Sequence, residues 1–373
     1  MKKSICFCLV FFWLLLLPSI LMLSFPVKDF SESENRMRAS FPSFDTESLI
    51  DGNWAKDLNS FYGDRFPLRG FLLKSKAVCE LLLGKRQNGN VFFGKELYQI
   101  KRLEGRDTVL LKKNKQAVDN LASHLAKTGK PCEILYAPRA IDALYEKLPT
   151  GYPIEASQTP WHILTPSPLT ELLAKKAARG EAVWYRTDHH WSTLGAYYAY
   201  EFLGRSLDYK PLPKEAFRIE SVKENFFGTS ASASQFPIMK PDSILRYRFD
   251  GDEDFVVTDL STGSTHGGFY VDEKLASSDA YASFLGGNFA HLSITKSGES
   301  PRPLLLIIKD SYANCLVPFL ARHFDIEMLD TRYIRSASYE MLDEITAKEE
   351  YAGALLLWNA ETLSSDAGLT PFL

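Results

Sequence analysis

Two short clusters of polar residues give this 373-residue chain its clearest chemical signal. The first is Asp188-His189-His190, and the second is Ser311 at the end of an apolar run. A serine hydroxyl becomes a nucleophile when a histidine takes its proton, and that histidine needs a carboxylate to hold its ring. Asp188 and His190 lie two residues apart, so both can project from one turn. The spacing predicts Ser311 as the nucleophile, His190 as the base and Asp188 as the residue that orients it.

Two other interpretations stay open on these residues alone. An Asp-Ser pair before a helix is also an ordinary cap, so Ser311 by itself would indicate structure. The Asp188–His190 cluster could instead ligate a metal ion, with His266 or His291 completing the set. Adjacent side chains diverge, however, and no His-x₃-His pair occurs in the sequence. We therefore predict neither a metal nor a cofactor.

Each cluster follows a predicted strand and precedes a predicted helix. Strands are predicted at 91–93, 132–137, 183–186, 304–309, 326–329 and 354–358, and helices at 109–127, 170–178, 193–203, 313–323 and 339–348. Strands that alternate with amphipathic helices predict a three-layer α/β fold with a mostly parallel sheet. Functional groups of such sheets collect at the carboxyl ends of the strands, and a helix N-terminus there offers N–H donors to an oxyanion.

The stretch from about 207 to 294 breaks this alternation and is predicted to be an insertion. A strand at 247–249 enters an Asp-Gly turn at Asp250-Gly251, and 255–257 would be the returning strand. We expect this β-hairpin to shape access to the site.

The N-terminus carries an apolar run from Ile5 to Phe25 behind two lysines. A membrane-spanning helix needs about 20 apolar residues, and the lysines should stay in the cytoplasm. We predict a membrane anchor at 1–25, a membrane-proximal arm at 26–90 with helices near 46–61 and 68–83, and an extracytoplasmic domain at 91–373. A cleaved signal peptide is the alternative, but no small-residue cleavage site is evident.

Charge and cysteine content exclude other classes of protein. The chain has 43 basic and 46 acidic residues, a net charge of −3, so a nucleic acid is not an expected partner. Two of the five cysteines lie in the predicted anchor, and Cys79, Cys132 and Cys315 form neither a disulfide framework nor a metal motif.

The sequence resembles the bacterial DHHW proteins, which are similar to the alginate O-acetyltransferase group of the SGNH-hydrolase-like superfamily. The resemblance rests on five motifs, Ser33-Glu34-Asn35-Arg36, residues 62–69, Asp188-His189-His190-Trp191, Phe227-Gly228-Thr229 and residues 309–314. It implies a flavodoxin-like α/β domain with a Ser/His/Asp triad in permuted order, carried here by Asp188, His190 and Ser311. Lys309 stands where the family usually has glycine.

The resemblance also indicates where an oxyanion or a substrate would bind. The candidates are the backbone N–H of Ser311 and the residues His189, Gly228, Thr229, Tyr312, Arg332 and Asn359. Exposed aromatic rings would favour stacking on a sugar, and Trp161, Trp184, Trp191 and Tyr312 are the candidates for that role.

The function implied is extracytoplasmic O-acetylation of a cell-surface polysaccharide through an acyl-serine. A membrane-embedded O-acyltransferase would be the partner that supplies the acetyl group. A carbohydrate esterase with the same triad is one alternative, because water can also resolve an acyl-serine. A non-catalytic, membrane-anchored binding or assembly factor is the other.

Overall fold

The computed structural model describes residues 2–24, 27–102, 108–152, 163–298, 301–334 and 337–373. The chain forms two compact units. The first comprises Met1–Asn88 with Gln235–Pro237, and the second comprises Gly89–Ser234 with Ile238–Leu373. All residues predicted to carry chemistry lie in the second unit.

The first unit is mainly helical. Its elements are α1 (Lys2–Ser24), β1 (Phe30–Ser31), β2 (Arg36–Met37), α2 (Thr46–Ile50), α3 (Asn53–Arg65), α4 (Arg69–Leu82) and β3 (Gln87–Asn88). Across the described residues, no helix combines the length and the apolar content needed to span a bilayer. The membrane anchor and the boundaries of the arm therefore stay predictions.

Ion pairs join two of the sequence motifs in this unit. Arg36 contacts Asp64 at 2.6 Å and Glu34 at 2.8 Å, and Arg69 contacts Glu34 at 2.8 Å. The hydrogen bonds from Arg36 hold the pKa of Asp64 well below its usual range, although burial opposes them. These ion pairs therefore join the two motifs within the first unit.

The second unit contains the remaining elements. Its strands are β4 (Val91–Phe93), β5 (Gln99–Lys101), β6 (Cys132–Tyr136), β7 (Arg218–Phe226), β8 (Asp242–Arg248), β9 (Phe255–Asp259), β10 (Thr265–Gly267), β11 (His291–Lys296), β12 (Leu304–Lys309), β13 (Asp325–Leu329) and β14 (Tyr351–Trp358). Its helices are α5 (Thr108–Ala126), α6 (Ala140–Ala143), α7 (Pro168–Ala178), α8 (Thr193–Leu203), α9 (Thr229–Ser234), α10 (Val317–Leu320), α11 (Tyr339–Thr346) and α12 (Ala360–Leu363).

A mixed sheet of seven strands organises this unit, in the order β10-β9-β11-β13-β12-β14-β6. Strands β13, β12, β14 and β6 pair in parallel with one another in that order. On the other side of β13, the strands β11, β9 and β10 continue the sheet, and each pairs antiparallel with its neighbour. The predicted α/β class is confirmed, but a mostly parallel sheet is wrong. Because only residues 260–264 separate β9 from β10, the chain can return only antiparallel there.

Apolar cores cover both faces of the sheet. Leu305 and Ile307 of β12 enter one core, which they share with side chains of α7 and α8. The alternate residues Leu306 and Ile308 enter the other core, with side chains of α5 and α11. Side chains of successive strand residues point to opposite faces, so these assignments give the three layers expected.

The predicted hairpin at the Asp-Gly turn is wrong. β8, which leads into that turn, pairs antiparallel with β7 in a separate two-stranded sheet. The strand after the turn, β9, pairs with β10 and β11 of the main sheet. Gly251 adopts a φ of 82° and leads into a 3₁₀ turn at Asp252–Asp254 instead of a tight hairpin. Burial explains why β9 joins the larger sheet, since Phe255 and Val257 are each 1% exposed there.

Two predicted elements beside the chemical clusters also differ. Residues 183–186 are not a sheet strand; Trp184 makes one antiparallel bridge, to Trp191. The helix predicted at 313–323 is a 3₁₀ turn at Ser311–Ala313 followed by the four residues of α10. Pro318 lies in the first turn of α10, where its missing N–H costs nothing, but a longer helix running through it would be broken.

Gly195, in the first turn of α8, packs closely against residues on either side of the histidine loop. A Cβ on Gly195 would lie 2.3 Å from the Val183 carbonyl oxygen and 3.0 Å from Trp191 Cβ. Because backbone must move to admit it, Gly195→Ala should lower the free energy of unfolding by about 1–3 kcal/mol. Urea denaturation measures the change.

Gly70→Ala is the matched control for this variant. Gly70 is also helical, in α4, and a Cβ there meets no atom within 4 Å. The substitution should be neutral or stabilise by about 0.5–1 kcal/mol, because alanine loses less entropy in a helix. Equal effects of the two variants would contradict close packing at Gly195.

Candidate active site

The turn after β12 is held by the buried carboxylate of Asp310. Its Oδ1 accepts a hydrogen bond from the Tyr312 backbone N–H at 2.9 Å. Its Oδ2 accepts from the backbone N–H of Asn359 at 2.7 Å and from Asn359 Nδ2 at 2.6 Å. Asn359 directly follows β14, the neighbouring strand. Asp310 therefore serves as the cap that the sequence allowed, and this places Ser311 at the carboxyl edge of the sheet.

The structure brings Asp188, His190 and Ser311 into one hydrogen-bonded chain. His190 Nε2 lies 2.7 Å from Ser311 Oγ, and His190 Nδ1 lies 2.6 Å from Asp188 Oδ1. The His190 backbone N–H also donates to Asp188 Oδ1, at 2.9 Å. All three residues are buried, and Ser311, at 8% exposed, is the most accessible of them. This arrangement suits proton transfer from serine to imidazole.

A turn at the start of α9 holds the other oxygen of Asp188. The backbone N–H and the hydroxyl of Thr229 donate to Asp188 Oδ2 at 2.8 and 2.9 Å. A Cβ on Gly228 would lie 2.3 Å from the Asp188 side chain, so only glycine lets the turn approach this closely. Burial alone would raise the pKa of Asp188, but the charges of His190 and His189 and the hydrogen bonds from His190 hold it well below its usual range. The carboxylate stays ionised and can stabilise a positively charged imidazole.

This geometry gives Gly228 and Thr229 a different role from the predicted one. The Gly228 N–H donates to Thr187 Oγ1 at 3.3 Å, and the Thr229 N–H is taken by Asp188. Since both amides are occupied, the turn supports the carboxylate and has no free backbone donor for an oxyanion.

Two rings enclose the imidazole of His190. The His189 ring lies on one side at 3.8 Å between centroids, and the Tyr281 ring stacks at 3.9 Å with the planes 8° apart. Tyr281 also donates its hydroxyl to the Ser311 carbonyl oxygen at 3.0 Å. His189 Nδ1 lies 2.6 Å from Thr229 Oγ1, and burial holds the pKa of His189 well below its usual value. Sequence reasoning missed Tyr281, because it lies in an irregular segment without a motif.

A cavity of about 320 Å³ opens beside His190 and Ser311. Of the predicted binding residues, His189, Thr229, Arg332 and Asn359 line it. Polar residues that the sequence analysis did not identify also line it, namely Lys101, Asp279, Asn288, Asn314, Glu361 and Thr362. Lys101 lies in β5, and Glu361 and Thr362 lie in α12. The other three come from loops between elements, where spacing along the chain gives no signal of proximity.

The predicted roles of Asn359 and Arg332 are constrained by their partners. Asn359 Nδ2 donates to Asp310 and, at 2.9 Å, to Thr362 Oγ1, so its donors are already used. Arg332 pairs with Asp330 through Nε at 2.8 Å and Nη2 at 2.7 Å. Both therefore line the cavity as fixed groups.

Three of the four aromatic residues proposed to stack on a sugar are buried. Trp184, Trp191 and Tyr312 are at most 1% exposed. The Trp184 and Trp191 indoles donate to the Pro138 and Tyr312 carbonyl oxygens, each at 3.0 Å.

Tyr312 belongs to this buried layer as well. Its hydroxyl donates to the His189 carbonyl oxygen, so Tyr312 fixes the histidine loop and does not line the cavity. Trp161, the fourth aromatic candidate, lies outside the described residues.

The metal alternative meets competing contacts. Asp188, His189 and His190 offer ligand atoms within 4.8 Å of one another. Both ring nitrogens of His190 and Nδ1 of His189 already have partners, and a cation would displace them. The residues expected to complete the site contact other groups: His291 lies 2.8 Å from Glu327 and His266 3.4 Å from the Leu285 carbonyl oxygen.

Two family models match this chain. A model described as DHHW protein matches residues 169–329, and one of the SGNH hydrolase-like domain of the acetyltransferase AlgX matches residues 89–239. The resemblance to DHHW proteins is confirmed. The first match contains Asp188, His190 and Ser311, and the second contains Asp188 and His190. No curated protein sequence matches the chain.

Solved structures share the fold. A DHHW family protein from Eubacterium siraeum DSM 15702 is 21% identical, with a TM-score of 0.58 over 76% of this chain and 96% of its own. Bacillus cereus PatB1 is 18% identical, with a TM-score of 0.60 over 75% of this chain and 99% of its own. A second PatB1 structure, with a sulfonyl adduct, is 18% identical with a TM-score of 0.57, over 73% of this chain and 96% of its own. At these identities the likeness shows the α/β fold with its large mixed sheet.

The low pKa of Asp188 predicts how stability depends on pH. Asp188→Asn keeps the side-chain shape and removes its charge. Because folding lowers the pKa of Asp188 below its unfolded value of about 3.9, the ionised carboxylate stabilises the fold above that value, and this contribution is lost as the pH falls further. The difference in unfolding free energy between wild type and variant should therefore shrink below about pH 4. Urea denaturation at several pH values measures it.

Asp250→Asn removes an exposed carboxylate of the same unit and serves as the control. A wild-type advantage over Asp188→Asn that stayed constant from about pH 7 to about pH 3 would contradict the assignment.

Proposed function

We propose that this protein is an O-acyltransferase that acetylates hydroxyls of a cell-surface polysaccharide through an acyl-serine intermediate. The observation that carries the proposal is the chain from Asp188 through His190 to Ser311, which opens onto a polar cavity. The match of residues 89–239 to an acetyltransferase domain supports the reaction class.

The first half of the proposed reaction forms the acyl-serine. His190 Nε2 accepts the proton of Ser311 as Oγ attacks the acyl carbonyl carbon. The resulting tetrahedral intermediate collapses, the bond to the donor's leaving oxygen breaks, and His190 returns the proton to that oxygen. Asp188 holds the imidazole in position and stabilises its transient charge.

The second half transfers the acyl group. A sugar hydroxyl enters the cavity, gives its proton to His190 Nε2 and attacks the acyl carbon. The bond to Ser311 Oγ then breaks, and His190 returns the proton to the serine. Water could take the place of the sugar in this half, and this would make the protein an esterase.

Charge at the cavity supports a hydroxyl-rich acceptor. The cation of Lys101 is paired with Glu361 at 2.7 Å, and that of Arg332 with Asp330 at 2.7 Å. Since these cations are neutralised by neighbours, the cavity offers hydrogen-bonding groups without a large excess of positive charge. This suits a carbohydrate better than a polyphosphate.

The location and the acetyl donor are further parts of the proposal. The apolar run from Ile5 to Phe25 would anchor the chain and place the α/β unit outside the cytoplasm. A membrane-embedded O-acyltransferase would then deliver the acetyl group to Ser311.

Substituting the nucleophile tests the reaction. Ser311→Ala should lower turnover of an activated acetate ester by at least about 10³-fold, because the acyl-serine cannot form. It should also abolish labelling by phenylmethylsulfonyl fluoride, a probe suggested by the sulfonyl adduct of PatB1. Intact-protein mass spectrometry detects both the acetyl and the sulfonyl adducts.

Ser261→Ala, at an exposed serine of the same unit, is the matched control and should label like wild type. Unchanged turnover and labelling in Ser311→Ala would exclude the mechanism. Absence of any adduct on wild type would favour the non-catalytic alternative.

An acceptor competition separates transferase from esterase. Wild type is supplied with an acetate ester and increasing concentrations of neutral and acidic oligosaccharides. We expect acetylated sugar to accumulate while the yield of free acetate per ester consumed falls, because acceptor and water compete for one acyl-serine. Mass spectrometry and acetate quantification give the partition. If all acetyl groups appeared as acetate at every acceptor concentration, the esterase assignment would replace this one.

A further inference from the structure

A buried lysine lies two residues before the candidate nucleophile. Lys309, the last residue of β12, is 1% exposed. Its Nζ lies 3.1 Å from Asp330 Oδ2, 3.0 Å from Asn314 Oδ1 and 3.2 Å from Asn288 Oδ1. The ammonium thus has one charged partner and two amide partners at the carboxyl edge of the sheet.

The charged partner alone does not require a lysine here. Asp330 is already paired with Arg332 through two hydrogen bonds, at 2.8 and 2.7 Å. Burial lowers the pKa of Lys309, and Asp330 opposes that shift. Because Arg332 neutralises Asp330 in any case, the distinctive contacts of Lys309 are those with the two asparagines.

An ammonium group donates hydrogen bonds and cannot accept them. Both asparagines must therefore turn their amide oxygens toward Lys309. Asn314 Nδ2 in turn donates to the Gly287 carbonyl oxygen at 3.2 Å and to Asn288 Oδ1 at 3.1 Å. Asn288 Oδ1 accepts hydrogen bonds from both Lys309 Nζ and Asn314 Nδ2. Each of these contacts requires the same orientation of the Asn288 amide.

The amide nitrogen of Asn288 is left as a donor. In the described part of the chain, Asn288 Nδ2 donates to no protein group, and Asn288 lines the same cavity as Ser311. The side-chain amide of Asn359 and the backbone amides of Gly228 and Thr229 are already occupied. The cavity that the nucleophile lines therefore also holds an unused N–H donor.

We propose that Lys309 is a positioning residue that fixes the amide of Asn288, so that Asn288 Nδ2 donates to the oxyanion formed when Ser311 attacks an acyl group. This inference rests on the proposed acyl transfer. The donor is oriented before the acyl group arrives, and such preorganised donors contribute most where charge develops in the transition state. If the amide flipped, its oxygen would face that negative charge instead.

Kinetics of four variants test the proposal. Asn288→Ala removes the donor, Asn288→Asp replaces it with an acceptor of the same shape, Lys309→Met removes the ammonium, and Lys309→Arg keeps a cationic donor. With an activated acetate ester, the first three should lower kcat by about 10²–10³-fold with little change in KM, as loss of one oxyanion donor does. Lys309→Arg should recover part of the rate.

A double variant shows whether Lys309 acts through Asn288 or whether the two substitutions lower the rate independently. If Lys309 acts through Asn288, Lys309→Met combined with Asn288→Ala should be no slower than Asn288→Ala alone. A purely structural role would instead lower the melting temperature and multiply the two losses. Thermal unfolding of each variant is measured alongside the kinetics.

A spectroscopic measurement reads the amide directly. In ¹⁵N-labelled protein, the Asn288 side-chain NH₂ signals are assigned by their loss in Asn288→Ala. They should shift when Ser311 carries a sulfonyl group from phenylmethylsulfonyl fluoride, because its oxygens occupy the place of the oxyanion. In Lys309→Met this shift should be lost or strongly reduced.

The outcomes separate this inference from the proposed function. Wild-type kcat in either Asn288 variant, or multiplied losses in the double variant, would overturn the role of Lys309 while leaving acyl transfer intact. If wild type showed no turnover dependent on Ser311, the proposed function would fail and the oxyanion role with it. The NH₂ signals would then still show whether Lys309 sets the orientation of the amide, since free wild type and Lys309→Met should differ in their chemical shifts.

Discussion

The hydrogen bonds accepted by the carboxylate of Asp310 fix the edge of the sheet on which the rest of the site is assembled. They join the turn after β12 to the turn after β14, through the Tyr312 backbone on one side and Asn359 on the other. A buried carboxylate is costly unless its oxygens are satisfied, and here three N–H groups satisfy them. Ser311 lies in the first of these turns, and its hydroxyl can meet a histidine that comes from a distant part of the chain.

Three buried aspartates at this edge are satisfied by three different means. Asp310 receives N–H donors, Asp188 receives the His190 ring and the Thr229 turn, and Asp330 receives Lys309 and Arg332. Each set of contacts fixes a different group: the nucleophile, the base and the asparagine amides. Because the three sets of contacts are separate, a shift in one set need not disturb the others. The groups that they fix, Ser311, His190 and the two asparagines, all line one cavity.

The sequence predicted those parts of this arrangement that depend on local pattern. The bounds of β12 and α8 match the apolar pattern of residues 304–309 and 193–203, because burial of a regular stripe decides them locally. The grouping of Asp188, His190 and Ser311 followed from the residue types that serine chemistry needs. Residues 183–186 looked like a strand for their apolar content, yet they form no sheet strand, and Trp184 makes a single bridge, to Trp191.

Residues placed by irregular backbone could not be predicted in the same way. Tyr281 and Asn288 flank a segment in which Leu285, Gly286 and Gly287 all have positive φ values, of 60°, 82° and 125°. Two of these three are glycines, which adopt such angles without a steric cost, but nothing in the spacing says which side chains the turn delivers to the cavity. Lys309 is the instructive case, since a lysine ending an apolar strand looks like a solvated end. Its burial makes sense only once Asp330, Asn288 and Asn314 are seen around it.

The packing around His190 bears on how such a site would work. Its ring stacks on Tyr281 and packs against His189, and both nitrogens are hydrogen bonded, so little freedom remains for it to lose when a ligand binds. A base and donors that are already oriented lower a barrier without reorganising during the reaction. The same rigidity means that truncating a side chain here would leave buried donors or acceptors unpaired, at a cost of about 1–3 kcal/mol each. Substitutions that preserve shape, such as Asp to Asn or Lys to Met, therefore separate chemical roles from packing better than alanine does.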